Sequence, residues 1–127
     1  MLVEDEEQVR TVVGGVLRRH GYQVIETRSP GEALLASEKC ETPIHLLLTD
    51  IVMPQMSGPE LALRLTNARP SIAVLCMSGY TSDMNQDDAR VRFPYLQKPV
   101  AVESLTRKVR EVLDAAKAHH CRAGEMD

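Results

Sequence analysis

The sequence predicts an α/β fold, a doubly wound five-stranded parallel sheet with helices on both faces in a three-layer sandwich. Three observations predict it. Short apolar runs alternate with helical patterns five times along the 127 residues. The runs at 44–49 (IHLLLT) and 72–77 (IAVLCM) lack polar alternation, as strands covered on both faces do. Helix-opening signals, Ser29-Pro30-Gly31-Glu32 and Ser57-Gly58-Pro59-Glu60, stand between the runs.

Each element has its own reason. Leu2-Val3 is a strand stub that ends at the acidic cluster Glu4-Asp5-Glu6-Glu7. Val9, Val12, Val13, Val16 and Leu17 share one face of a helix, and Gly21 stops it after His20. Tyr22 to Ile25 reads as a second strand. Ser29 caps a helix that runs to about Lys39. Ile44 to Thr49 is the third strand, with Asp50 at its end and Pro54 breaking the chain beyond. Ser57 opens a helix through Leu61 and Leu65 to about Ala68. Ile72 to Met77 is the fourth strand, ending at Ser78-Gly79. Thr81 to Arg92 is polar and predicts only a weak helix. Phe93 to Gln97 is a fifth strand before Lys98-Pro99. Val102, Leu105, Val109, Val112, Leu113 and Ala116 mark a final amphipathic helix. His119 to Asp127 reads as a polar tail, giving one domain over 1–118 and a flexible tail over 119–127.

Composition narrows the function. The net charge is −3, the pI is about 5.8, and only one Phe and three Tyr are present. Neither a basic footprint nor a base-stacking surface is offered to nucleic acid. No window of about 18 apolar residues is available to span a membrane. The acidic start is neither a secretory signal nor a transit peptide. Cys40, Cys76 and Cys121 match no metal spacing and read as reduced thiols, Cys76 in the core, of a cytoplasmic protein. His20, His45, His119 and His120 have no partner at ligand spacing.

Doubly wound sheets bind ligands beyond the carboxyl ends of their strands. There the sequence gathers Glu4, Asp5, Asp50, Ser78 and Lys98. Three close carboxylates raise one another's pKa, and a hard divalent cation relieves the conflict. Mg²⁺, with its taste for carboxylates, waters and phosphate oxygens, suits the set. An Asp carboxylate also serves as a nucleophile toward phosphorus. Positioning and charge neutralisation are what that transfer demands, and a Lys, a hydroxyl and Mg²⁺ supply them.

Four segments in this order resemble the response-regulator receiver domains of two-component signalling. They are Leu2-Val3-Glu4-Asp5-Glu6, Leu47 to Pro54 with Gly58, Met77-Ser78-Gly79-Tyr80, and Leu96-Gln97-Lys98-Pro99. The resemblance covers residues 1 to about 117 and implies the flavodoxin-like strand order 2-1-3-4-5. It implies that Asp50 is the phosphoacceptor. It implies that Asp5 binds Mg²⁺ directly, that Glu4 helps through water, and that the Val52 carbonyl adds a ligand. Ser78 is expected to hydrogen-bond the phosphoryl group, Lys98 to pair with its oxygens, and Tyr95 to be the aromatic switch. Lys98-Pro99 is expected to be a cis peptide, and Met53-Pro54 with Gly58 to shape the loop after the acceptor. The implied partner is a histidine kinase or histidine phosphotransfer protein. Oligomeric state stays open, a homodimer included. An isolated receiver catalyses its own phosphorylation without turning over a substrate. The Met-Ser-Gly-Tyr and Leu-Gln-Lys-Pro wording is most similar to receivers of hybrid sensor histidine kinases, so a longer parent would itself be a kinase.

Three departures stand out. Receivers usually have several apolar residues before the acidic pair, and here only Met1, Leu2 and Val3 precede it. This predicts a short first strand or a receiver cut from a longer protein. Only the nineteen residues 79–97 separate Ser78 from Lys98, which predicts a reduced, mobile segment between Thr81 and Arg92. Val52 and Tyr80 occupy the positions that flank the attacking water in the family. Two bulky non-acidic side chains there predict a long-lived phosphate.

Other classes fit less well. A phosphatase of the haloacid dehalogenase type needs an Asp where Val52 stands. A nucleotide or flavin binder needs a Gly-rich loop after the first strand, and here that loop is acidic. The remaining alternative is a pseudo-receiver, a protein-binding scaffold that is never phosphorylated, and the complete acceptor set argues against it.

Overall fold

The structure is a computed structural model that describes residues 1–78 and 93–126, the last ten in backbone only. The elements are β1 (Leu2–Val3), α1 (Glu7–Arg19), β2 (Glu26–Thr27), α2 (Pro30–Lys39) and β3 (Leu46–Asp50). They continue with α3 (Gly58–Ala68), β4 (Ala73–Ser78), β5 (Tyr95–Gln97) and α4 (Val102–Met126). All strand pairs are parallel, in the order β2-β1-β3-β4-β5. Tyr80 and the weak helix expected over Thr81–Arg92 lie outside the described residues.

Alternation along the strands builds two cores. Val3, Leu47, Val74 and Cys76 face Ala33 of α2 and Leu61, Ala62 and Leu65 of α3. Leu2, Leu48, Leu75 and Met77 face Val13, Val16 and Leu17 of α1 and Leu105 and Val109 of α4. Each fully buried Leu in these layers contributes roughly 1.5–3 kcal/mol. Among the described residues no helix is long and apolar enough to cross a membrane.

The local signals act as their chemistry requires. Ser29 Oγ accepts the Glu32 amide and Ser57 Oγ accepts the Glu60 amide, both at 3.2 Å, so each serine caps its helix. Gly21 follows α1 with φ +91°, a left-handed conformation that glycine adopts without strain.

Several boundaries differ from the sequence reading: β3 begins at Leu46 rather than Ile44, β4 runs one residue later than expected, and β5 begins at Tyr95 rather than Phe93. The second strand is Glu26–Thr27, not Tyr22 to Ile25. Pairing explains the shift: β1 bonds β2 through Leu2↔Glu26 and Val3↔Thr27, so the ladder begins after the apolar run. Tyr22 and Val24 still pack on the α1/α4 core. Asp50 ends β3, as expected, and stands opposite Met77. The backbone of α4 stays helical to Met126, past the end expected near Ala116.

Candidate functional site

Parallel pairing brings the carboxyl ends of β1, β3, β4 and β5 to one rim. Glu4 follows β1 and is fully buried, held through its amide, which donates to the Thr27 carbonyl at 3.1 Å. Its Oε2 accepts the Glu6 amide at 3.0 Å, a local bond that aims the side chain inward. Asp5, next in the chain, points to solvent. Asp50 closes β3 and is 4% exposed. Carboxylate oxygens of Glu4, Asp5 and Asp50 all lie within 4.8 Å of one another.

Lys98 enters from the end of β5. Its amide donates to the Ser78 carbonyl at 2.7 Å, extending the β4–β5 pairing by one step. The expected cis peptide is present at Lys98-Pro99. The ammonium Nζ lies 2.6 Å from Glu4 Oε1 and 2.6 Å from Asp50 Oδ1. Asp50 Oδ1 has no hydrogen bond of good angle among the described residues, and the Lys98 ammonium is the cation that faces it.

The electrostatics separate the three acids. Burial pushes the Asp50 carboxyl up, the neighbouring Glu4 pushes it further, and Lys98 only partly opposes them, leaving it at about 8. Burial also acts upward on Glu4, but hydrogen bonds from Asp50, Lys98 and the Glu6 amide outweigh it and hold Glu4 below its ordinary value. Asp5 is raised by desolvation and by Glu4 beside it. Lys98 is raised, its two carboxylates outweighing burial. Burial and mutual repulsion thus work against ionising all three acids at once, which is the electrostatic condition that a divalent cation relieves. The donors are all hard oxygens and one of them is buried and under-satisfied. These features fit Mg²⁺.

Gly58 fixes the floor. A Cβ there would sit 2.0 Å from the Asp50 carbonyl oxygen, and the Gly58 amide donates to the Ile51 carbonyl at 2.8 Å. Only glycine lets α3 start this close to the acceptor strand. Gln55, in the same loop, has φ 76°. A cleft of about 710 Å³ opens beside the acids, lined by Asp5, Val12, Val52, Met77, Lys98 and Pro99.

The structure brings Glu4, Asp5, Asp50 and Lys98 together. Ser78 ends β4, 2% exposed, on the same rim. Val52 is exposed at the cleft mouth. Tyr95 opens β5, opposite Cys76, with 44% of its surface exposed. Sequence reasoning passed over Arg10, whose Nη1 donates to the Glu4 carbonyl at 2.8 Å. The available signal was indirect: Gly14, a buried glycine on α1, makes room for Glu26, the carboxylate beside Arg10.

The family described as response regulator receiver domain matches residues 1–110. The sensor kinase CckA of Brucella abortus (strain 2308) is 37% identical over 118 residues, covering 90% of this chain and 12% of the kinase. The response regulator receiver protein CpdR of the same organism is 35% identical over 118 residues, covering 91% of this chain and 97% of that protein. The chain therefore spans a small part of one relative and nearly all of the other. The crystal structure of the receiver domain from hybrid histidine kinase CckA superposes with a TM-score of 0.74 at 32% identity, covering 88% of this chain and 95% of that one. A CheY-like receiver from Methanospirillum hungatei JF-1 gives 0.79 at 27% identity, covering 93% and 94%.

Proposed function

Since this chain belongs to the response regulator receiver domain family, we propose that it is a phosphoacceptor switch that takes a phosphoryl group from a partner phosphohistidine onto Asp50. The observation that carries the proposal is the Asp50 carboxyl. It is buried at the end of β3, touches Lys98 Nζ at 2.6 Å, has an oxygen without an aligned hydrogen bond among the described residues, and shares its corner with two more carboxylates.

In the transfer, a carboxylate oxygen of Asp50 forms a bond to phosphorus as the phosphorus–nitrogen bond of the donor breaks. The imidazole nitrogen leaves with the electron pair and is protonated from solvent. Lys98 supplies a compact positive charge where the phosphoryl oxygens arrive. Ser78 supplies a hydroxyl at the neighbouring strand end. Glu4, Asp5, Asp50 and the Val52 carbonyl are the groups that would hold Mg²⁺, which neutralises the gathering negative charge. Ser78 and Tyr95 then shift between two arrangements and change the surface offered to a partner.

The partner class is a histidine kinase or histidine phosphotransfer protein, and the place of action is the cytoplasm. Similarity to the CckA receiver supports a phosphorelay role. A scaffold that is never phosphorylated has no observation in its favour, because every acceptor-site group is present.

Intact mass after incubation with acetyl phosphate and Mg²⁺ tests the proposal. One added phosphoryl group on the parent chain and none on Asp50→Asn is the expected result. No gain on the parent at any Mg²⁺ concentration overturns it.

A further inference from the structure

We infer that Arg10 is a positioning residue for the acidic pair, acting through the Glu4 carbonyl and anchored by Glu26. The inference rests on the receiver reading of the site. Past Val3 the β1 ladder ends, and the Glu4 carbonyl needs another partner. Arg10, one turn into α1, supplies it: Nη1 donates to Glu4 O at 2.8 Å. The Arg10 side chain is only 12% exposed, so this is a packed contact rather than a solvated one.

The guanidinium is itself held. Its Nε lies 3.8 Å from Glu26 Oε1, on the β2 residue that pairs with Leu2. The other Glu26 oxygen is paired to Arg18, whose Nη2 also donates to the Val24 carbonyl at 3.2 Å. Gly14 makes room for this carboxylate, since a Cβ there would stand 2.8 Å from Glu26 Oε2. Two arginines on α1 thus clasp one glutamate on β2 across a glycine, and the inner arginine reaches the peptide that joins Glu4 to Asp5.

The consequence is directional. Fixing the Glu4 carbonyl fixes the plane of the Glu4–Asp5 peptide, and with it the direction in which Asp5 leaves the backbone. Without Arg10, Asp5 samples a wider arc at the solvent edge, and the three carboxylates converge less often. A planar fork suits the task because it serves a carbonyl and a carboxylate together, which an ammonium on a flexible stem does not. Groups that orient metal ligands from behind typically change affinity by about 10–100-fold when removed.

The test uses the whole chain with Arg10→Gln, Arg10→Lys and Glu26→Gln. Mg²⁺ affinity is read by calorimetry, and phosphorylation by acetyl phosphate is followed against Mg²⁺ concentration. Arg10→Gln is expected to weaken Mg²⁺ about tenfold, at the lower end of that range. Its phosphorylation rate at saturating Mg²⁺ should stay within about twofold of the parent, the split expected of a residue that orders ligands without touching substrate. Arg10→Lys should recover only part of the affinity, and Glu26→Gln should lose less than Arg10→Gln. Metal-free amide exchange gives a second readout: Asp5 and Glu6 should exchange faster in Arg10→Gln while β3 and β4 stay protected. Affinity within about twofold of the parent, or unchanged exchange at Asp5 and Glu6, overturns the inference. A parent chain that takes neither Mg²⁺ nor phosphoryl overturns the receiver reading instead, and the amide exchange then decides the role of Arg10 by itself.

Discussion

Lys98 and Glu4 stand ninety-four positions apart in the chain and meet through a 2.6 Å contact between Nζ and Oε1. The pair ties the end of β1 to the end of β5 across the two strands between them. Glu4 is fully buried, so Lys98 is the cation that makes its burial tolerable.

Lys98→Met keeps the aliphatic stem and removes the charge. It leaves buried Glu4 and Asp50 without their cation. The expected loss is about 2–3 kcal/mol at neutral pH without metal, below the full cost of a buried pair because the Lys98 side chain is 21% exposed. Urea unfolding measures it, and adding Mg²⁺ should return part of the loss.

Asp50→Asn should stabilise the metal-free chain, increasingly so as pH rises. The Asp50 carboxyl titrates at about 8 when folded, above its ordinary 3.8. A group with a raised folded value contributes stability below the unfolded value and loses it as pH rises through the folded one. The advantage of the variant should therefore grow between about pH 4 and pH 8 and level off above that. Melting curves of both proteins across this range check the shape, and a flat difference refutes the assignment.

Gly58→Ala should damage both fold and site. The new Cβ meets the Asp50 carbonyl oxygen at 2.0 Å and the Ile51 Cα at 3.2 Å, all backbone that has no rotamer to yield. We expect a loss of about 2–3 kcal/mol and slower phosphorylation of the part that remains folded. Denaturation and intact mass together read the two effects.

Arg69→Ala should cost stability alone. Arg69 caps the end of α2, donating to Ser37 Oγ at 2.9 Å and to the Ser37, Cys40 and Thr42 carbonyls at 2.9, 2.7 and 3.1 Å. Losing these partners should cost about 2 kcal/mol. Mg²⁺ affinity should be unchanged, because this cap lies at the amino end of the sheet, away from the acids. Calorimetry on the variant checks that separation.

Much of this was readable from residue types. Ser29 and Ser57 announced their helices, and IHLLLT and IAVLCM announced strands with two covered faces, because capping and burial are local or periodic properties. The convergence of Glu4, Asp5, Asp50 and Lys98 was also readable, since strand ends in a parallel sheet share a rim. Two things were not. Tyr22 to Ile25 carries strand chemistry, yet hydrogen-bonded pairing depends on how far β1 extends beside it. The contact of buried Glu4 with Lys98 was not readable either, because it joins side chains from opposite ends of the chain. Arg10 escaped notice because a helical arginine beside acids looks like ordinary surface charge until its carbonyl partner is seen.

The two-residue β1 lies inside the sheet, between β2 and β3, and delivers two of the three clustered acids. Its neighbour β3 is anchored by five paired positions on β4, whereas β1 holds on through two on each side. Segments with few backbone bonds open at a fraction of the global free energy. The acid corner is therefore mounted on one of the most lightly bonded slats of the sheet. On warming, the three carboxylates are expected to part company while the β3–β4 ladder beside them is still intact, so the corner should lose its geometry at a temperature below the one at which the domain melts.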